Sequence, residues 1–199
     1  MHPTRRAFIA TALAAAATPS AAQPIPLGDL SAYLNALTTA RSSFTQVTDD
    51  GAISTGTLWL KRPGRVRFEY DPPEAAMVIA GGGSLAVFDP RSDEPTRYPL
   101  NQTPLSIILA RDVNLGQADM VTGHSSDGPT TTVRAQDPDN PDYGSIDLVF
   151  TGGPIELRQW VINDGEGGRT TVILGALERD LRVPDRIFNI NAETRKWSP

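Results

Sequence analysis

Residues 56–73 read GTLWLKRPGRVRFEYDPP, two runs of alternating apolar and polar side chains on either side of a Pro-Gly pair. Successive side chains of a β-strand point to opposite faces, so every second residue of each run shares a face. One face carries Leu58, Leu60, Arg62, Val66, Phe68 and Tyr70, and the other carries Trp59, Lys61, Arg67 and Glu69. The stretch therefore predicts two antiparallel strands with one mainly apolar face.

Similar short runs, rich in β-branched and aromatic residues, continue on both sides of this hairpin. We predict strands at residues 44–47, 56–61, 65–70, 76–80, 84–89, 96–99, 120–124, 130–135, 145–150, 155–162 and 170–174. Glycines at 51, 81–83, 165, 167 and 168 favour tight turns, because glycine adopts positive φ at little cost. Most neighbouring strands are therefore expected to pair antiparallel.

Two segments have helical rather than strand periodicity. Between residues 27 and 40 the apolar side chains recur at helical spacing, with Asp29 or Ser31 as candidate caps. A shorter apolar helix is expected at residues 103–111, with Pro104 in its first turn. Its apolar residues are Leu105, Ile107, Ile108 and Leu109. This second helix interrupts the strands and is placed to act as a lid.

A curved sheet with one apolar face, covered by two helices, forms a pocket suited to an aliphatic ligand. Inward aliphatic side chains usually pack against one another, and periodicity alone favours such a solid core. The overall prediction is a mainly β fold. It consists of a strongly curved antiparallel sheet forming an incomplete β-barrel, with short α-helices as a lid over the concave hydrophobic face.

Composition limits the classes of function. The chain has 199 residues, enough for one domain, with 39% hydrophobic and 21% charged residues. Its net charge of -5 and pI near 5.0 argue against nucleic acid as a partner, because phosphate binding needs clustered cations. The sequence contains no cysteine, which excludes disulfides, thiolate metal sites and a lipid-modified N-terminal cysteine.

The N-terminus has the order of an export signal. A twin-arginine pattern, Thr4-Arg5-Arg6-Ala7-Phe8-Ile9, precedes an alanine-rich apolar run at 10–17 and the small residues Ser20-Ala21-Ala22. We predict a signal peptide at residues 1–22, cleavage after Ala22, a single mature domain at 23–199 and a periplasmic location. The alternative is a frayed amphipathic helix.

The sequence offers little for catalysis. His124 is the only histidine of the mature chain, and no serine lies in a nucleophile-elbow pattern that could use it. The glycines at 81–83 lack the Lys and Ser or Thr of a phosphate loop, and prolines break the ligand spacing of a calcium loop at 137–142. A glycosidase needs two paired carboxylates, but nothing in the spacing of the candidates distinguishes them from ordinary surface charges: Asp71, Glu74 and Asp89. We therefore expect no enzyme, cofactor or metal, with a secreted hydrolase as the opposing hypothesis.

Four stretches together resemble one family. Residues 44–46 (FTQ), 56–73, 79–90 and 103–105 (TPL) are similar to the signature of the outer-membrane lipoprotein carrier family, LolA, over most of the mature chain. The resemblance implies an incomplete, helix-covered barrel that carries acylated lipoproteins from the inner to the outer membrane. It also implies two partners, an inner-membrane lipoprotein-releasing ABC transporter and an outer-membrane acceptor, and we expect the carrier to be a monomer.

The resemblance assigns roles to particular residues. Arg62 matches the family arginine that ties the strand to the lid, although a solvated arginine at the strand end is the alternative. The expected acyl-chain cavity or mouth comprises Leu58, Leu60, Val66, Phe68, Tyr70, Val87, Leu105, Ile107, Ile108, Leu109, Leu148 and Phe150. Ordinary core packing is the rival interpretation for the residues of this set.

The C-terminus departs from the family pattern. After Phe188-Asn189-Ile190-Asn191 we expect only a brief polar tail, ending Arg195-Lys196-Trp197-Ser198-Pro199, in place of a longer extension. Because of that difference, the sequence leaves open whether the protein serves the main lipoprotein pathway or a related lipid-handling task. The alternative function is a periplasmic lipid- or lipoprotein-sensing adaptor built on the same half-barrel.

Overall fold

The computed structural model describes residues 23–117 and 119–197. The predicted export signal, residues 1–22, lies outside the described residues.

A single antiparallel sheet contains all the strands of the described chain. They are β1 Thr39–Thr48, β2 Ile53–Lys61, β3 Arg65–Tyr70, β4 Met77–Gly81, β5 Ser84–Phe88, β6 Thr96–Pro99, β7 Val121–Asp127, β8 Thr130–Gln136, β9 Ser145–Thr151, β10 Glu156–Asn163, β11 Arg169–Leu174 and β12 Glu178–Arg179. The strand order is β6-β5-β4-β3-β2-β1-β11-β10-β9-β8-β7, and β12 pairs with β1. Among the described strands, only β1 pairs with strands distant in sequence, namely β11 and the short β12, so two meanders meet along β1.

The sheet is strongly curved. Strands β3 and β10 are separated by β2, β1 and β11, so about 19 Å would lie between them in a flat sheet. The rings of Phe68 on β3 and Trp160 on β10 nevertheless meet edge to face with centroids 6.2 Å apart. Because β6 and β7 at the two ends do not pair with each other, the barrel stays open. The mainly β, incomplete-barrel prediction is confirmed.

Three α-helices accompany the sheet: α1 Leu27–Ala36, α2 Leu105–Leu109 and α3 Ile190–Trp197. Helix α1 ends four residues before the predicted end at 40, because Thr39 and Ala40 pair with Lys61 and Leu60 as the start of β1. The predicted side-chain caps of α1 are wrong, because Pro26 occupies the N-cap and no side chain caps the helix. Pro104 is likewise the N-cap residue of α2.

The two faces of the sheet bury separate cores. The inner face, which is the concave one, packs against α1 and α2 and includes side chains from β1 to β5 and from β8 to β11. The outer face buries a smaller cluster beneath the C-terminal segment: Met77, Ile79, Ala86, Phe88, Val183, Phe188 and Ile190. The expected polar tail forms helix α3, and the centroid of its Trp197 ring lies 5.3 Å from that of Phe88.

None of the helices within the described residues is both long enough and apolar enough to cross a membrane.

Candidate functional site

The inner face brings together most of the side chains that the sequence singled out. Those buried there are Leu58, Leu60, Val66, Phe68, Ile107, Ile108, Leu109, Leu148 and Phe150, while Tyr70 and Leu105 are partly buried against the same cluster. Val87 is half-buried outside this cluster. The sheet and the α2 helix thus present their apolar side chains to each other across one interior.

This interior is closed in the structure. The space enclosed between the sheet and the lid near Arg62 has a volume of only about 20 Å³. It is lined by apolar side chains of α1, α2 and the sheet, among them Leu34, Ile108 and Trp160. Among the described residues, the end of the inner face near Arg62 is therefore closed in this conformation, because lid side chains occupy it.

Arg62 joins the sheet to the lid. It follows the last residue of β2, and its Nη1 donates to the carbonyl oxygen of Leu34 in α1. Its Nη2 donates to the carbonyl oxygen of Ala110, at 2.5 Å, just after α2. The same nitrogen lies 3.3 Å from Asn35 Oδ1 and 3.4 Å from the carbonyl oxygen of Arg111. One guanidinium therefore holds the C-terminal ends of both lid helices, where carbonyl groups lack helical partners.

Burial makes this arrangement costly for the charged form of Arg62. Desolvation lowers the pKa of Arg62 from its ordinary value, and the charge of Asp112 acts in the opposite direction. Its Nε is buried without a hydrogen-bond partner among the described residues. A buried donor without a partner costs free energy. The Nε of Arg62 therefore destabilises the closed state, although the other two nitrogens of the same guanidinium hold the lid.

Two side chains of α1 fix the chain that follows α2. Asn35 Oδ1 accepts from the Val113 amide and Asn35 Nδ2 donates to the Val113 carbonyl, both at 2.9 Å. Ser31 Oγ accepts from the Leu115 amide at 3.0 Å and donates to the Leu27 carbonyl. Helix α1 and residues 105–115 are therefore tied to each other. Sequence periodicity gave no signal for Asn35, and it assigned Ser31 a different role.

The inner face is open at its other end. A space of about 530 Å³ lies beside Tyr70, Val78 and Val87. Tyr70 pairs with Gly56, six residues before Arg62 along the same strand, which corresponds to roughly 20 Å. Tyr70 Oη donates to Gln46 Oε1 at 2.6 Å, and burial raises the pKa of Tyr70 to about 12. This end therefore combines apolar side chains and a neutral phenol with the charged side chains of Glu74, Asp89 and Arg91.

Sequence comparison places this arrangement in a family. Residues 35–191 match the family described as outer membrane lipoprotein carrier protein LolA, which covers most of the 199 residues. The chain belongs to the LolA family. LolA is a carrier family, not an enzyme family.

Individual relatives agree with that assignment. The outer-membrane lipoprotein carrier protein of Azotobacter vinelandii is 25% identical over 199 residues, covering 90% of this chain and 95% of that protein. The protein of the same name from Alkalilimnicola ehrlichii is 29% identical over 173 residues, covering 82% and 78%. A DUF1329 family protein from Desulfovibrio piger has a similar fold, with a TM-score of 0.51, 12% identity, and coverage of 83% of this chain and 95% of that one.

The groups considered for catalysis are not gathered into one site in this LolA-family chain, because Glu74 and Asp89 line the open end beside Tyr70 whereas His124 and Asp71 do not. His124 Nε2 is 2.9 Å from the carbonyl oxygen of Ile25. Asp71 accepts from Thr55 Oγ1, and Asp89 pairs with Arg91, which holds the pKa of Asp89 at about 2. The described residues contain no cluster of three or more metal-ligating side chains.

Proposed function

We propose that this chain is a periplasmic carrier that binds the acyl chains of lipoproteins on its inner face and shuttles them from the inner to the outer membrane. A single observation carries the proposal: an apolar concave face is covered by short helices whose ends are held by one arginine, Arg62. In this proposal an inner-membrane lipoprotein-releasing ABC transporter supplies the cargo, and an outer-membrane acceptor receives it.

Water exposure of the acyl chains is the barrier that such a carrier removes. Each buried methylene contributes about 0.8 kcal/mol, so a 16-carbon chain gains on the order of 12 kcal/mol when it leaves water. The inner face offers buried aromatic and aliphatic side chains for that purpose, including Phe68, Leu148 and Phe150. The open end beside Tyr70 is the proposed entrance, because it reaches the same face without passing Arg62.

Lid closure and cargo binding exclude each other in this mechanism. The side chains of α2 occupy the apolar surface that acyl chains would cover. The apparent affinity for cargo therefore falls with the fraction of molecules in the closed state. A stable closed state favours release, and the lid bonds of Arg62 set part of that stability.

The segment that has to move has few attachments to the sheet. Among the described residues, the hydrogen bonds between residues 105–115 and the sheet come from the Arg62 side chain and from the Gly64 amide, which donates to the Leu109 carbonyl at 2.8 Å. Both donors lie in the β2–β3 hairpin. Freeing residues 105–115 from the sheet therefore needs the loss of one local set of bonds rather than the separation of strands, while Asn35 and Ser31 join the segment to α1.

The deciding experiment measures release and delivery separately. The purified protein is incubated with spheroplasts whose lipoproteins carry radiolabelled acyl chains, and the supernatant is then mixed with outer-membrane vesicles. We expect labelled triacylated lipoprotein to leave the spheroplasts in complex with the protein and then to pass to the vesicles. No release above a protein-free control contradicts the proposal, while release without delivery supports the sensing adaptor.

A further inference from the structure

The outer face carries a groove that the proposed carrier function does not use. This outer groove lies between the outward side chains of β1 to β3 and the C-terminal segment 181–196, and its volume is about 820 Å³. Its apolar lining consists of Trp59, Leu181, Val183, Pro184, Ile187 and Ala192. A volume of several hundred cubic ångströms is typical of sites for small ligands. The outer groove combines this apolar lining with eight charged side chains.

The charges around the outer groove do not balance. Its cationic side chains are Arg41, Arg67, Arg182, Arg186 and Lys196, and its carboxylates are Glu69, Glu178 and Glu193. Each carboxylate already has a cation nearby: Arg67 lies 2.6 Å from Glu69, Lys196 lies 2.8 Å from Glu193, and Arg41 lies 3.9 Å from Glu178. Arg67 also donates to the Ile187 carbonyl and lies 3.8 Å from Glu193.

Two guanidinium groups of the outer groove are not paired with any of these carboxylates. Arg182 and Arg186 are exposed, and within residues 23–117 and 119–197 neither guanidinium group forms a hydrogen bond or an ion pair. They lie four residues apart on a segment that also supplies Leu181, Val183 and Ile187 to the apolar lining. The groove therefore presents free positive charge next to an apolar floor, on a chain whose overall charge is -5.

We propose that the outer groove binds a single-chain fatty-acid anion. The hydrocarbon chain lies along Trp59, Leu181 and Ile187, and the carboxylate pairs with Arg182 and Arg186. Guanidinium groups bind carboxylates through paired, charge-assisted hydrogen bonds. This site is on the opposite side of the sheet from the inner face, and it goes beyond the carriage of lipoproteins.

Calorimetric titration with dodecanoate, below its micelle concentration, tests the charge requirement. We expect Arg186→Gln and Arg182→Gln each to weaken binding by about tenfold, since a charge-assisted hydrogen bond contributes enough for that change. Arg169→Gln is the matched control, because Arg169 is exposed on β11 and does not line the groove. Dodecyltrimethylammonium, with the same chain and a cationic head, should not bind there. Equal binding of both detergents, or no effect of either groove variant, overturns the proposal.

A site-specific readout separates the groove from the inner face. The 12-bromo derivative of dodecanoate quenches indole fluorescence on contact, and Trp59 lines the groove whereas Trp160 lies in the inner core. We expect Trp59→Phe to remove most of the quenching and Trp160→Phe to retain it. Ala192→Trp, which fills the groove without changing its charge, should abolish dodecanoate binding while thermal unfolding shows a folded protein. Quenching that is lost only with Trp160 means that the ligand binds the inner face, and this result rejects the outer site independently of whether lipoproteins are carried.

Discussion

The inner lid segment and the outer C-terminal segment cover opposite faces of one sheet, but they are attached to it in different ways. Residues 105–115 are hydrogen bonded to the sheet through one hairpin, chiefly by Arg62. Residues 181–197 are attached at several strands. Their contacts run from Lys61 to Val183 and Asp185, from Arg65 to Asp185, from Arg67 to Ile187 and from Arg97 to Asn191. We call residues 105–115 the inner cover and residues 181–197 the outer cover. The difference in attachment indicates that the inner cover can detach locally while the outer cover stays in place.

The chemistry of the two attachments also differs. Arg62 donates to backbone carbonyl oxygens and the Asn35 amide oxygen, which do not titrate. The outer attachment includes the carboxylate of Asp185, which lies 2.6 Å from Lys61 and 2.7 Å from Arg65. Acid should therefore weaken the outer attachment and leave the hydrogen-bond acceptors of the inner one unchanged.

Two neighbouring side chains at the end of β2 give the strongest test, because Lys61 belongs to the outer attachment and Arg62 to the inner one. Arg62→Leu removes the bonds that favour the closed lid, so acyl chains should bind about tenfold tighter or more and pass to outer-membrane vesicles correspondingly less. The protein should remain folded. Lys61→Leu is the matched control and should leave transfer within about twofold of wild type. Transfer by Arg62→Leu at the wild-type rate contradicts the latch role.

The sequence predicts the sheet well because its period-two pattern and glycine turns are local signals. Each predicted strand from 44–47 to 170–174 is present, and the residues of 56–73 form β2, the turn and β3. Strand β12 was missed because its two residues, Glu178 and Arg179, are exposed and become a strand only by pairing with β1. Helix α3 was missed because it buries little beyond Ile190 and otherwise reads as polar.

The site is less predictable because its contacts join distant parts of the chain. The alternation of β2 places Arg62 on the face of Leu58 and Leu60, but nothing local specifies Leu34 and Ala110 as its hydrogen-bond partners. The closed interior depends on how far α2 approaches Trp160 across the sheet, which periodicity does not encode. The outer groove exists only where the irregular segment 181–187 packs against β1 to β3.

Gly81→Ala is the second test, directed at the outer cover alone. A Cβ at Gly81 would overlap the carbonyl oxygen of Phe188, so the outer segment would have to shift. We expect a loss of about 1–3 kcal/mol in the free energy of unfolding, measured by urea titration, with unchanged lipoprotein transfer. Gly152→Ala is the control, because its Cβ would make only an ordinary contact with Ile25. A transfer defect in Gly81→Ala would mean that the two covers are coupled.

Gly28→Ala addresses helix α1, which packs on the inner face. It should change the free energy of unfolding by less than Gly81→Ala, and in the opposite direction. Gly28 is exposed in the first turn of α1, does not have a positive φ and has no atom within 4 Å of an added Cβ. Alanine is favoured over glycine in a helix by at most about 1 kcal/mol, so the melting temperature should rise by about 1–4 °C. Transfer should not change, because the substitution leaves Arg62 and its partners intact. A lower melting temperature contradicts the described start of α1.

The smallest expected effect concerns pH. The hydrogen bond from Lys61 lowers the pKa of Asp185 below its ordinary value of 3.8, and the charges of Lys61 and Arg65 act in the same direction. Because the folded-state pKa is lowered, the contribution of Asp185 to stability is present above about pH 4 and is lost as the pH falls through the lower value. The urea midpoints of wild type and Asp185→Asn should therefore differ slightly at pH 7 and converge as the pH falls through the lowered pKa of Asp185. Hydrogen-exchange protection factors locate the change: residues 181–189 should lose protection in acid in a manner that depends on Asp185, whereas residues 105–115 should not. Protection of 105–115 that varies with Asp185 would show that the inner lid is not fastened independently of the outer segment.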